Sequence, residues 1–127
     1  MNPLNEINLS ILIYASLIMT YAMEDLTAFQ RDLLYIILDA SNPSGQEIKR
    51  NIESYYSQNI NHGRLYPNLD ELVEMGLILK NKKDDRTNSY EITQKGKDKI
   101  VERHMWIGKY ISDTSVYDEI ANTIKVE

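Results

Sequence analysis

The sequence is poor in the residues that most enzymes use for chemistry. Its 127 residues include no cysteine, which excludes disulfides, thiolate metal ligands and a cysteine nucleophile. The two histidines, His62 and His104, leave little material for a metal site or an acid–base pair. There is also no Ser/His/Asp set, no Gly-rich phosphate loop and no metal-ligand spacing. We therefore expect a protein that is not an enzyme and that uses no metal or cofactor.

Basic residues are outnumbered, since 14 lysines and arginines stand against 19 acidic residues and the net charge is −5. Taken alone, this charge argues against DNA, because phosphate binding requires Lys and Arg. Residues 61–110, however, hold ten basic and eight acidic side chains between two acidic flanks. The middle of the chain therefore permits a DNA-facing surface. Length and composition otherwise fit a single soluble domain in the cytoplasm.

Long apolar runs are limited to residues 7–23, INLSILIYASLIMTYAM. This run of 17 residues is interrupted by four polar side chains and is at the low limit for crossing a bilayer. Glu6 precedes it, where a signal peptide would carry basic residues. We expect residues 1–24 to form an apolar helix that packs on the core or on a second subunit. A membrane anchor and irregular packing are the alternatives.

Two capping patterns predict the next helices. Thr27 and Gln30 open a helix over residues 26–40, and Ser44 and Glu47 open another after a turn. Apolar residues recur at helical spacing in both segments, so each is expected to bury one side. The expected buried positions are Phe29, Leu33, Ile36, Ile37 and Ala40 in the first helix, and Ile48, Ile52, Tyr55 and Tyr56 in the second.

Residues 61–76, NHGRLYPNLDELVEMG, predict a third helix with two different sides. One side is apolar at helical spacing and consists of Leu65, Leu69, Leu72 and Val73. Because a proline is tolerated only in the first turn, Pro67 requires the helix to begin close to residue 62 or 63, or to be kinked. Arg64 and Asn68 then lie near the N-terminus and are expected to project away from the core. Recognition helices carry their base-reading residues there.

Two short strand-like runs follow, at residues 77–83 and 89–93. The residues between them are polar and partly basic, which predicts a β-hairpin. Three helices, a two-stranded wing and a further helix are the elements of a winged helix-turn-helix. We therefore predict a mainly α fold with a small two-stranded β wing, flanked by N- and C-terminal dimerisation helices. Residues 25–96 would form the DNA-binding domain.

The C-terminal part, residues 97–127, is assigned to dimerisation. The helix predicted over residues 94–111 is capped by Thr93, and a weak terminal helix follows at residues 116–126. The longer helix has two apolar stripes, one with Ile100, His104, Ile107 and Ile111 and the other with Trp106 and Tyr110. Two apolar stripes indicate two packing partners, the domain core and a neighbouring subunit. His104 is interpreted as a core histidine with a satisfied hydrogen bond.

Two motifs resemble the PadR-type transcriptional regulators. GRLYPNL at residues 63–69 matches their recognition-helix signature Gly-x-Leu-Tyr-Pro-x-Leu, and YEITQKG at residues 90–96 matches the wing signature Tyr-x-Leu-Thr-x-x-Gly, with isoleucine in place of leucine. The segment GQEI at residues 45–48 is similar to the family's Gly-Tyr-Glu-Leu but lacks its tyrosine, and residues 25–32 are most like archaeal members. The resemblance spans roughly residues 25–111. It implies a homodimeric DNA-binding repressor.

The residues expected to contact double-stranded DNA are Asn61, His62, Gly63, Arg64, Tyr66, Asn68, Lys49, Lys82, Lys83 and Arg86. Arg64 is assigned to a guanine edge or a phosphate, and Asn68 to adenine. Tyr66 is assigned either to a phosphate or to packing beneath the wing. Arg86 at the wing tip is assigned to the minor groove or the backbone, together with the two wing lysines.

Two further functions stay open at this point. The acidic total charge and the acidic residues Asp70, Glu71 and Glu74 of the third helix favour a winged-helix protein–protein adaptor. A ligand-responsive regulator is the other, because some PadR-type relatives bind planar aromatic compounds at a dimer interface. Here Trp106, Tyr110, Ile107 and Ile111, near Tyr14 or Tyr21, would form either an aromatic dimer seam or such a pocket. The expected partners are DNA, a second copy of the chain and a small aromatic effector, with no membrane.

Overall fold

The computed structural model describes residue 11 and residues 25–126, so the predicted helix at residues 1–24 lies outside the described residues. Five helices and two strands are described. They are α1 (Ala28–Asp39), α2 (Gly45–Tyr56), α3 (His62–Glu74), β1 (Ile78–Lys82), β2 (Asn88–Ile92), α4 (Gln94–Ile111) and α5 (Ser115–Val126). The predicted mainly α fold with a two-stranded wing is confirmed. In this part of the chain, no helix is long and apolar enough to cross a membrane.

Side-chain caps fix the beginnings of the helices that form the domain. Thr27 and Gln30 form both halves of the predicted capping box at α1, each at 3.1 Å. Asn61 caps α3 by accepting the Arg64 N–H at 2.8 Å. The helix therefore begins at residue 62, as Pro67 required, although Pro67 itself lies in the second turn and leaves the Gly63 carbonyl without the usual i+4 donor.

The core lies where α1 crosses α2, α3 and the wing, and α1 contacts all of them as well as α4. Each large aliphatic side chain fully buried there contributes roughly 1.5–3 kcal/mol. The buried apolar residues are Leu26, Phe29, Leu33, Leu34, Ile37, Ile48, Ile52, Ile60, Leu65, Leu69, Leu72, Leu77, Ile78, Tyr90 and Ile100. The predicted inward position of Tyr55 is wrong, because this side chain is 76% exposed while its neighbour Tyr56 takes the position against Phe29.

The wing is an antiparallel hairpin whose register pairs Ile78 with Ile92 and Lys82 with Asn88. The middle of β2 is joined to the turn before α2 by the Tyr90 N–H, which donates to the Pro43 carbonyl at 2.9 Å. A β-bridge between Ser44 and Ser89 lies beside this bond. The wing is therefore attached to the helical part through backbone contacts as well as through its strands.

The buried residues of α4, which are Gly96, Lys99 and Ile100, lie in its N-terminal half. Further along, the interpretation of His104 as a core residue is wrong. This side chain is exposed, and its Nε2 lies 2.8 Å from the Tyr35 hydroxyl of α1. From Val101 onwards, α4 and α5 carry large apolar side chains that are exposed within one chain. They are Val101, Met105, Trp106, Tyr110, Val116, Tyr117, Ile120 and Ile124.

Candidate nucleic-acid interface

The first turn of α3 presents Asn61, His62, Gly63 and Arg64, all of which are exposed. The sequence predicted that Arg64 projects away from the core, but in the structure its guanidinium packs over the Phe29 ring. Its guanidinium carbon lies 4.1 Å from the centre of the Phe29 ring and 6.0 Å from that of Tyr56. A cation over an aromatic face is stabilised by about 0.5–1 kcal/mol at an exposed site. Arg64 is thus held in a defined direction at the edge of the core while its hydrogen-bond donors stay accessible.

The expectation that Asn68 projects away from the core is wrong. Its side chain is half-buried, and its Nδ2 donates to the Arg64 carbonyl at 2.7 Å. Its Oδ1 accepts from the Nε2 of Gln30 at 3.0 Å. The same Gln30 nitrogen lies 2.5 Å from Glu71, another α3 residue. Sequence reasoning assigned Gln30 to the α1 cap alone, although the donors of its amide were then still unused.

Tyr66 packs against Gly45 at the start of α2, and its assignment to a phosphate or to packing beneath the wing stays a prediction. A Cβ atom placed on Gly45 would lie 2.6 Å from the Tyr66 hydroxyl, so the phenol occupies the space that any larger residue would need. The imidazole of His62 meets the ring of Tyr66 edge-on, with centroids 5.4 Å apart. The position of Tyr66 therefore explains why a glycine is required at residue 45, which is one of the residues that resemble the family.

A polar cleft of about 350 Å³ lies between the start of α2, the start of α3 and the wing. It is lined by Ser44, Gly45, Gln46, His62, Tyr66, Arg86, Thr87, Asn88 and Tyr90. The cleft brings Arg86 of the wing tip together with His62 and Tyr66 of α3. The Tyr90 side chain is completely buried, and its hydroxyl has no hydrogen-bond partner among the described residues. Burial raises the pKa of Tyr90 to about 12, with smaller effects of Asp70 and Tyr66.

The wing tip is organised by Asp84, whose carboxylate accepts the Arg86 backbone N–H at 2.9 Å. This bond and one from Thr87 lower the pKa of Asp84, so the carboxylate is charged at neutral pH. Asp84 therefore fixes the turn that carries Arg86. The position of a negative charge beside the arginine is explained by this structural role.

The two wing lysines lie on opposite faces of the hairpin, because successive side chains of a strand alternate. Lys82 is paired across the sheet with Asn88, which lines the polar cleft. Lys83 instead lines a hollow with Ser41 on the other face. The structure thus brings Lys82 to the side of Arg86 and separates Lys83 from it.

Lys49, which the sequence assigned to DNA, forms an ion pair within the protein. Its Nζ lies 3.0 Å from the Glu53 carboxylate one turn later. Glu53 also accepts the Ile60 backbone N–H at 2.9 Å, which together with Lys49 lowers the pKa of Glu53. Lys49 therefore supports the link between α2 and α3 through Glu53, and its ammonium group is already paired within the protein.

The proposed dimer seam is exposed on α4. The rings of Trp106 and Tyr110 meet edge-on with centroids 5.1 Å apart, and the guanidinium of Arg103 lies 4.9 Å from the Trp106 ring. Ile107 and Ile111 on the neighbouring stripe are half-buried. Tyr14 and Tyr21, named as neighbours of this seam, lie outside the described residues. Over residues 25–126, no group of three or more potential ligands could hold a metal ion.

The three-helix core, the hairpin packed beside α3 and the cleft between them define a winged helix-turn-helix domain. Residues 33–102 match the family model described as the transcriptional regulator PadR-like family. This match spans more than half of the chain. The protein therefore belongs to the PadR-like family of transcriptional regulators.

Solved structures agree with this assignment. H. salinarum RosR, in the complex designated hsRosR-S1, is 41% identical over 81% of this chain and 91% of that chain, with a TM-score of 0.73. The structure of H. salinarum RosR grown from NaBr is 40% identical over 80% of this chain and 92% of that chain, with a TM-score of 0.73. The predicted similarity to archaeal members is thus confirmed. Streptococcus pneumoniae FabT in complex with DNA shares the fold, at 19% identity over 96% of this chain and 85% of that chain, with a TM-score of 0.55. None of the curated proteins matches the chain.

Proposed function

We propose that this protein is a sequence-specific DNA-binding repressor that acts as a homodimer, with α3 in the major groove and the wing on the backbone or minor groove. The observation that carries the proposal is the polar cleft, where Arg86 of the wing tip meets His62 and Tyr66 of the recognition helix. Two elements of a winged helix that contact DNA would thereby present their polar side chains on one surface. FabT, which shares the fold, has been solved with DNA.

Within this surface, Arg64 is the residue that we assign to base reading. Its guanidinium can donate two hydrogen bonds to a guanine edge, worth about 1–3 kcal/mol of discrimination. Asn61, His62 and Gly63 at the same turn would approach the backbone, where helix N-termini favour phosphate. Asn68 is not retained as a base reader, because both ends of its amide are engaged inside the protein.

On the wing, we assign Arg86 and Lys82 to the backbone or the minor groove. Both lie on the side of the polar cleft, and both side chains are exposed. Lys83 faces the other side of the hairpin and Lys49 is paired with Glu53, so neither is given a principal role.

A second copy of the chain is the partner that fits the apolar surface of α4 and α5. Soluble monomers rarely expose a contiguous apolar patch of more than a few hundred Å². Eight large apolar side chains are at least 40% exposed on these two helices. A two-fold dimer would place two α3 helices in successive major grooves roughly 34 Å apart and would make the operator a palindrome.

The adaptor alternative loses support in the structure. It depended on the acidic total charge and on three acidic residues on the exposed side of α3, of which Asp70 pairs with Lys80 at 3.5 Å and Glu71 binds Gln30. Of the three acidic residues, only Glu74 is left without such a contact among the described residues. The aromatic pair Trp106 and Tyr110 still allows an effector to bind in a dimer seam.

The proposed function is tested by selecting bound sequences from a random DNA pool and measuring the affinity of the full chain for the winning and a scrambled duplex. We expect a palindromic winner that binds at least 1,000-fold more tightly, on the order of a specific regulator. Both affinities should fall steeply with salt, because phosphate contacts release counterions. Equal affinity for both duplexes at moderate salt would overturn the proposal.

A further inference from the structure

Two consecutive residues of α1 hold the two α3 side chains that a winged helix would normally offer to bases. The Phe29 ring lies beneath the Arg64 guanidinium at 4.1 Å. The next residue, Gln30, donates to Asn68 at 3.0 Å. Phe29 and Gln30 are buried, 6% and 2% exposed, so neither can reach DNA itself. They contact Arg64 and Asn68 of α3 from the core side of the helix.

Gln30 uses the oxygen of its side-chain amide and both hydrogens of the amide nitrogen. Its Oε1 accepts the Thr27 N–H at 3.1 Å, which fixes the amide relative to the start of α1. Its Nε2 donates to Asn68 and to Glu71, which are three residues apart and therefore neighbours on one side of α3. Two bonds from one rigid amide to two successive turns oppose rotation of α3 about its own axis.

The bond to Glu71 is charge-assisted, and such bonds are stronger than neutral ones. Asn68, which accepts from Gln30, is itself bonded to Arg64, because its Nδ2 donates to the Arg64 carbonyl at 2.7 Å. Arg64 is thus held through its backbone by Asn68 and through its guanidinium by Phe29. The direction in which its donors leave the protein is set by α1.

We propose that Gln30 is a positioning residue of DNA recognition, which together with Phe29 sets the rotation of α3 and the direction of Arg64 and so determines base selectivity without touching DNA. This inference rests on the proposed function, since it assigns a cause to the selectivity of the same surface. It predicts that selectivity can be lost while the charge-driven affinity for any duplex is kept.

The test replaces Gln30 by glutamate, which preserves its shape and the acceptor for Thr27 but removes both donors. The new carboxylate also faces Glu71, so the two repel each other. We expect the ratio of affinities for the selected and scrambled duplexes to fall about tenfold, the loss of one base contact. The affinity for the scrambled duplex and its salt dependence should stay as in the wild type.

Rescue distinguishes positioning from simple loss of packing. In Gln30→Glu with Glu71→Gln, donor and acceptor of this one pair are exchanged, because the new amide at residue 71 can donate to the new carboxylate at residue 30. The bond to Asn68 is not restored, so we expect the selectivity ratio to recover only part of the roughly tenfold loss, whereas lost packing alone would give no recovery. Glu74→Gln is the matched control, since it removes the same charge from an exposed position of α3 and should leave the ratio unchanged.

The failures of the two proposals are distinguishable. If the wild type binds both duplexes equally, the proposed function fails and the positioning role fails with it. If the wild type discriminates and a folded Gln30→Glu variant discriminates equally well, only the positioning role is overturned. Should Gln30→Glu not fold, Phe29→Leu decides. It should lower the ratio in the wild type but not in an Arg64→Ala background, and an equal loss in both backgrounds would overturn the inference.

Discussion

The Tyr56 hydroxyl donates a hydrogen bond to the Asp32 carboxylate at 2.6 Å and joins the last turn of α2 to the middle of α1. A hydrogen bond to a charged group contributes more than a neutral one, about 1.5–3 kcal/mol. Because Tyr56 is half-buried, we expect Tyr56→Phe to lower the free energy of unfolding by about 1.5 kcal/mol. Urea denaturation followed by circular dichroism measures this change.

Tyr90→Phe is the matched control, since it removes the same atom where no partner is present in the described structure. A buried hydroxyl without a hydrogen bond costs about 1–3 kcal/mol, so its removal should leave the stability unchanged or raise it by about 1 kcal/mol. A loss as large as that of Tyr56→Phe would mean that the Tyr90 hydroxyl is bound after all.

The same two tyrosines predict a loss of stability at high pH. Burial, followed for Tyr56 by the bond to Asp32, raises the pKa of both to about 12, above the ordinary 10.0. The unfolded chain therefore loses these protons first, and their contribution to stability, complete below pH 10, disappears as the pH rises towards 12. The unfolding free energy of the wild type should fall over this interval. It should fall less in the Tyr56→Phe/Tyr90→Phe variant, and parallel curves would contradict the assignment.

Two glycines of α4 should respond to alanine in opposite directions. A Cβ atom at Gly96 would collide with the Leu77 carbonyl and press on the Ile92 side chain, and a backbone atom cannot step aside. We expect Gly96→Ala to destabilise the protein by about 3 kcal/mol. A Cβ at Gly108 meets nothing within 4 Å among the described residues, so Gly108→Ala should stabilise the helix by about 1 kcal/mol. Thermal unfolding of both variants checks the contrast.

Arg64 and Lys82 should affect DNA binding differently. Arg64→Ala removes a base contact and is expected to weaken binding to the selected duplex by about 1–3 kcal/mol while relaxing one position of the preferred sequence. Lys82→Ala removes a phosphate contact, so it should weaken all sequences alike and reduce the salt slope by about one. Lys83→Ala, on the opposite face of the wing, is the control and should do neither. Equal effects of the two lysines would contradict the assigned face.

Self-association should depend on the exposed aromatic pair of α4. Tyr110 is 65% exposed within one chain, and a partner subunit would bury it. We expect Tyr110→Glu to convert the protein to a monomer at micromolar concentration, because a carboxylate in an apolar seam is costly. Lys109→Glu places the same side chain on the neighbouring exposed position and should leave the dimer intact. Sedimentation velocity reads both. A wild type that sediments as a monomer would refute the dimer.

Local patterns in the sequence were sufficient for the fold. The Thr27–Gln30 capping box, the Ser44 cap and the limit set by Pro67 each act within a few residues, so the helix limits follow from them to within about two residues. The domain limits and the residues assigned to DNA remain predictions. The DNA-binding residues in particular depend on contacts with a second molecule, which the packing of one chain does not determine.

The errors have a common physical origin in contacts between distant segments. Gln30 and Asn68 are 38 residues apart, and helical spacing alone placed Asn68 on the outside. Periodicity likewise assigned His104 and Tyr55 to the core, because a hydrophobic stripe does not tell where the packing partner ends. In both cases the amphipathic pattern gave the correct helix and the wrong surroundings of one side chain.

In the proposed complex, the attachment of the wing to the turn before α2 would constrain the DNA as well as the protein. The Tyr90–Pro43 hydrogen bond and the Ser44–Ser89 bridge hold the middle of the hairpin against the turn before α2. One additional base pair between the two contacts would displace one of them by about 3.4 Å along the duplex. A wing held against the helical part in this way could not follow such a shift. Each half of the operator should therefore accept base changes more readily than insertions.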